Sequence, residues 1–289
     1  MVGLLREPFR LAYQGGDADN HTIDALYLGQ SLVGTARLYN SVIRWHFNGI
    51  IAVAGPQQIK IHAGPPKDGS LFYAIYLMMV HGKMAMYPDF IIELGKLAIP
   101  EVIKALIARR SGQEKIVEKA VDAMLEMYRR HDEFAREVHR DHVTEKKSLY
   151  GLVERLAKIN RRSLADMSAP VGRSVKQLQH FEGTQEQITV DEPVAEALRS
   201  TGEAKVGDVQ KLSAKILGVD TVTGAAKLLI DGNVKPTKAK ITDPSLSVAE
   251  NVYTHALDTH STVELTAKPV LKDGKVATLY VSDAKNVKL

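Results

Sequence analysis

Lys211 to Gly232 reads KLSAKILGVDTVTGAAKLLIDG. Leu212, Ala214 and Ile216 alternate with Ser213, Lys215 and Leu217, the two-residue period of a half-buried strand. DTVTG (220–224) reads as a turn into a second strand, AKLLI, and Asp231-Gly232-Asn233 as the turn after it. Lys238 to Ile241 makes a third strand, and Pro244 to Leu257 a short helical excursion. Val263, Leu265 and Ala267 alternate again, KDGK (272–275) turns, and Val276 to Ser282 returns. Three strands, a helix and two strands predict a small, closed, antiparallel β-barrel-like domain. Closure buries one face of every strand and leaves no open edge.

Upstream the texture differs. PFRLAY (8–13) reads as a strand and Asp24 to Asn48 as a helix, with Ala25, Leu32, Ala36, Tyr39 and Ile43 at helical spacing. Gly29 and Gly34 lie inside that helix, where each costs about 1 kcal/mol relative to alanine unless another backbone packs there. Ile50 to Ala54 and Gln57 to Ala63 read as two strands around Gly55-Pro56, and GPPKDGS (64–70) as a loop. From Ser70 to about Met167 the chain reads as helical, broken at Pro88, before Pro100 and at Ser111-Gly112. Pro170-Val171-Gly172 marks the domain boundary. The fold class is therefore α+β. Residues 1–69 form an N-terminal α+β unit, 70–168 a helical arm packed on it, 169–186 a linker, and 187–289 the barrel-like domain.

The 289 residues contain no cysteine, which excludes disulfides and thiolate chemistry. The net charge is +4, and the basic surplus sits in residues 101–165, 15 basic against 11 acidic. That surplus helps contact with phosphates but is no nucleic-acid signature by itself. MVGLLREPFRL is too short an apolar stretch for a signal peptide, so the expected location is cytoplasmic. Leu71 to Ala108 is the most apolar stretch, but charges and prolines break it below membrane-spanning length.

Four places invite a chemical reading. In GGDADNH (15–21), Asp17, Asp19 and His21 alternate like metal ligands. A calcium loop starting at Asp17 needs glycine sixth and glutamate twelfth, where Thr22 and Leu28 stand. A turn capped by Asn20 or Thr22, with Asp24 in the first helical turn, is the favoured reading. In RRHDEFAREVHRDH (129–142), His139 and His142 share a helix face, yet two ligands do not make a zinc site. Arg161, Arg162, Arg173 and Lys176 are candidates for an anion site near the domain junction. The barrel supplies Lys211, Lys215, Lys227, Lys235, Lys238 and Lys240, of which Lys235, Lys238 and Lys240 extend the nucleic-acid candidates. No Ser/His/Asp signature or GxSxG is present, so no catalytic residue and no cofactor is assigned.

Val117, Val121, Met124, Tyr128, Ala135 and Val138 follow steps of four and three, with polar His131 filling the one gap, the seam of a coiled coil or helical hairpin. GGDADNHTIDALYLGQSLVG (15–34) and APVGRS (169–174) resemble uncharacterised bacterial two-domain proteins. That resemblance implies an N-terminal α+β part joined to a C-terminal β part, and it transfers no catalytic residue. The leading expectation is a non-enzymatic interaction or assembly protein that pairs with itself or another protein through helices 113–160. Nucleic-acid or nucleotide binding through the basic middle segment and the barrel lysines is the alternative. A membrane-active effector using residues 71–108, which needs a conformational change, is the third.

Overall fold

The computed structural model describes residues 9–48, 51–52, 59–63, 71–79, 88–130, 146–185 and 187–286. The chain divides into two compact units, residues 1–199 and 200–289.

In the first unit, β1 (Phe9–Gln14) lies inside a five-stranded antiparallel sheet. The order is β2 (Ile59–Ala63), β3 (Leu71–Met79), β1, β4 (Gln177–His180), β5 (Ile188–Asp191). Leu11 sits opposite Tyr73 on one side and His180 on the other. Leu11, Ala12 and Tyr13 are all buried although they face alternate sides, so both faces of β1 are covered.

The helices are α1 (Ala25–Asn48), α2 (Pro88–Arg110), α3 (Glu114–Arg130), α4 (Lys146–Ile159), α5 (Arg161–Met167) and α6 (Glu192–Arg199). α1 crosses α5 closely at Gly34, where a Cβ would overlap the Met167 amide and the Ser163 carbonyl. Gly29 has open space instead, so only one of the two helical glycines is a packing requirement.

Several expectations are corrected here. Leu71 to Met79 is a strand and not the start of the helical arm. It is flanked by β2 and β1, and LFYAIYLMM is apolar throughout, a run that periodicity alone does not separate from a helix. Pro88 opens α2 and Pro100 lies within it, so the break expected before Pro100 is absent. Residues 169–186 are no linker: β4 pairs with β1 across more than 160 residues of chain, and the division between units falls at Arg199. Ile51 and Ala52 are in no regular element, and Gly55-Pro56 and residues 64–70 lie outside the described residues.

The second unit carries β6 (Ala204–Val206), β7 (Gln210–Val219), β8 (Ala225–Ile230), β9 (Thr237–Ile241), α7 (Val252–Thr259), β10 (Thr262–Lys272) and β11 (Lys275–Asn286). Strands β7, β8, β9, β11 and β10 close in that order, because β10 pairs with both β11 and β7. β6 adds to the free margin of β10. β9 and β11 are parallel, which departs from the all-antiparallel expectation: α7 carries the chain across between β9 and β10. β7 is shared, its first half on β10 and its second half on β8, with an irregularity between Ile216 and Gly218. A three-strand meander, a helix and a hairpin, closed through a shared first strand and a parallel third–fifth pair, is the connectivity of an OB-fold. Leu228, Val263, Leu265, Leu279 and Val281 fill its interior with Tyr253 of α7. Asn251 caps that helix by accepting from the Tyr253 and Thr254 amides at 3.0 Å each.

Candidate functional site

The acidic loop of the first unit is tied down by a second segment. Gly15 and Gly16 have φ of 74° and 65°, and a short 3-10 turn over Gly16–Asn20 follows. A Cβ on Gly16 would overlap the Ser174 carbonyl, so glycine is what lets the two backbones meet. The Asp17 amide donates to that carbonyl at 2.8 Å. The Ser174 hydroxyl donates to Asp17 Oδ2 at 2.6 Å and accepts from the Asp24 amide at 2.9 Å. Asp24 is itself the helix cap, accepting from the Leu26 and Tyr27 amides at 2.8 and 3.2 Å. Asn20 and Thr22 therefore do not serve as the cap: Thr22 turns back to the Asp17 carbonyl at 3.1 Å. Arg199 holds the other segment by donating to the Ser168 and Val171 carbonyls at 2.6 and 3.0 Å.

Asp17, Asp19 and His21 thus have different surroundings. Asp17 faces Ser174, while Asp19 and His21 line an open cleft of about 640 Å³ with Lys176, Gln14 and Gln177. Among the described residues no group of three or more His, Asp or Glu side chains is arranged to hold a metal ion. Lys176 reaches this cleft, and the Arg173 guanidinium lies 4.9 Å over the Tyr27 ring. Arg162 stands 3.8 Å from Asp166, and Arg161 is exposed on α5. His139, His142 and Val138 lie outside the described residues, as does the Tyr128 side chain.

Val117, Val121 and Met124 are at most 1% exposed. α3 packs on α2 and α4, so this stripe is core of its own chain. His180 is wholly buried beside Tyr39 and Phe181, and neither ring nitrogen has a hydrogen-bond partner among the described residues. Burial lowers its pKa from 6.5 to about 3.

The barrel offers the contrasting case. Lys215 lies between buried Ala214 and Ile216, Lys227 between buried Ala226 and Leu228, and Ala239 is buried between Lys238 and Lys240. Strand alternation therefore points all four lysines away from the interior. Lys227 and Lys238 are direct cross-strand partners, and Lys240 is two residues further along β9. Like charges placed opposite each other destabilise a sheet. Lys211 is paired with Glu264 at 3.1 Å. Lys235 is exposed in the turn between β8 and β9. The sequence shows these lysines, but the Lys227–Lys238 contact depends on a register that alternation alone does not fix.

Residues 9–199 match the model of a domain of unknown function, DUF7946. The chain belongs to this family. Residues 208–285 match a second model, a family of unknown function, DUF7947. The DUF7946 match begins at β1 and ends at Arg199, the last residue of the first unit, and the DUF7947 match covers the barrel. No curated protein matches the chain. The two matches agree with the two-part arrangement that the resemblance implied, and they assign no chemistry to either part. Among the described residues no helix is long and apolar enough to cross a membrane, and Leu71–Met79 is a strand within a sheet.

Proposed function

We propose that this chain is a binding protein whose DUF7947 barrel holds nucleic acid on its lysine face. The observation that carries the reading is the juxtaposition of Lys227 and Lys238 on adjacent strands, with Lys215 and Lys240 on the same outward surface. A sheet that keeps two cations face to face gives up stability, and a bound polyanion returns it. The connectivity supports the same reading, because the second and third strands of an OB-fold form its usual ligand-facing surface. Here those strands are β8 and β9, which carry Lys227, Lys238 and Lys240.

The reading is tested by fluorescence anisotropy of a labelled DNA of about 20 nucleotides, in single-stranded and duplex form. With about four phosphates neutralised, affinity should fall on the order of 100-fold between about 50 and 200 mM salt. The double variant Lys227→Glu/Lys238→Glu should bind neither form. If the unaltered chain binds no DNA at about 50 mM salt, the proposal is wrong.

A further inference from the structure

The chemistry of the same face narrows the kind of nucleic acid it takes, an inference that rests on the reading above. We infer that the ligand is a duplex, held through its phosphates, and not a single strand.

Sequence-independent binders of single strands combine a basic groove with aromatic side chains, and each stacked base contributes about 1–3 kcal/mol. Residues 200–289 contain no phenylalanine or tryptophan and two tyrosines, Tyr253 and Tyr280; their two histidines, His255 and His260, stand on α7 and at its C-terminal cap, not on β8 or β9. Tyr253 is fully buried in the barrel interior, and Tyr280 is 8% exposed. Neither presents a ring on which a base could lie. A single strand would have to be ordered on this face with no stacking to offset the entropy it loses.

A duplex fits what remains. Its backbone is already ordered, and it carries one charge per about 1.7 Å of axis. Each neutralised phosphate also releases more counterion from a duplex than from a single strand, with salt slopes of about 0.9 against 0.7 per contact. On the protein side the cations stand on a closed barrel, whose positions are set by strand geometry. Lys238 and Lys240 are separated by a two-residue step, about 6.6–6.8 Å along a strand, and Lys227 lies directly across from Lys238. For Lys215, Lys227 and Lys238 no carboxylate partner is present among the described residues, so binding at these three breaks no ion pair. An array of cations anchored at set strand positions, without stacking platforms beside it, favours the denser polyanion.

The full chain is titrated at about 100 mM salt with a DNA duplex of about 20 base pairs, an RNA duplex of the same sequence, and each DNA strand alone. At least one duplex should bind more than about threefold tighter than either strand, with a log–log salt slope near −3.6 for about four contacts. The two duplex arms separate DNA from RNA as the source of the phosphates. Lys227→Gln/Lys238→Gln should reduce the duplex slope by about 1.8 while circular dichroism stays unchanged. A single strand bound as tightly as both duplexes, or an unchanged slope in the double variant, overturns the inference and leaves nucleic-acid binding standing. Binding to none of the four ligands, repeated at about 50 mM salt, removes nucleic-acid binding itself and this inference with it.

Discussion

Asp17 and Lys227 both belong to charged stretches beside glycine turns, one in each unit, and the fold treats them in opposite ways. Asp17 looks like a ligand in GGDADNH, yet its carboxylate is taken by the Ser174 hydroxyl at 2.6 Å. Lys227 looks like an ordinary solvated charge, yet the register sets it against another lysine. In the first unit conspicuous polar groups are turned inward, His180 as a neutral ring packed in the core and Ser174 as the hydrogen-bonded clasp. In the second unit they remain outward. What separates an internal brace from an external site is the partner each group is given, not the local spacing of residue types.

The largest expected effect breaks the comparison from its interior side. His180 is neutral in the folded unit, with a pKa near 3, and titrates near 6.5 once unfolded. Between these values the unfolded chain binds the extra proton, so stability falls as pH falls, and above about pH 7 this contribution is constant. From pH 6 to pH 4 the loss due to His180 should be on the order of 2 kcal/mol. Trp45, the single tryptophan, is buried in α1 and reports unfolding of the first unit by its fluorescence. Urea titrations followed by Trp45 at several pH values should show His180→Leu with a shallower pH dependence than the unaltered chain. Equal slopes in the two proteins would mean that the imidazole is not held neutral in the core.

A smaller effect tests the clasp. Ser174→Ala removes one donor to Asp17 and one acceptor from the Asp24 amide, both on exposed residues that water also reaches. Because water offsets part of the loss, the destabilisation should be about 1 kcal/mol, read again through Trp45. Binding by the lysine face should not change, because Ser174 lies in the other unit. A change of less than about 0.5 kcal/mol would show that the two segments are held by backbone contacts alone.

The sequence makes the helix of residues 25–48, the barrel strands and the apolar Val117–Met124 stripe legible, because each rests on periodicity within one segment. It does not reveal the strand character of Leu71–Met79, since a strand with neighbours on both sides shows no alternation. Nor does it bring Gln177–His180 beside Phe9–Gln14, or Ser174 beside Asp17, since both depend on chain closure over about 150 residues or more. The seam is readable as apolar, but its partner is not: helices of the same chain cover it. The lysines of the barrel are countable in the sequence, while their facing each other depends on the β8–β9 register. Local pattern fixes elements, and the candidate site is made by pairings between them.

The smallest expected effect sharpens the comparison from its outer side, through its sign. If the Lys227–Lys238 contact is a liability kept for binding, removing the repulsion should stabilise the barrel. Lys227→Glu converts a like-charge cross-strand pair into an opposite-charge one, worth about 0.2–1 kcal/mol on an exposed sheet face. The second unit contains no tryptophan, so its unfolding is followed by calorimetry as the transition that Trp45 fluorescence does not track. That transition should shift upward by a degree or a few, about 4–8 °C per kcal/mol for a domain of this size. DNA affinity should fall in the same variant. Stability rising while binding falls is the pattern of a surface kept for a ligand. Stability and binding both unchanged would make Lys227 an ordinary solvated side chain, and the contrast with Asp17 would then disappear.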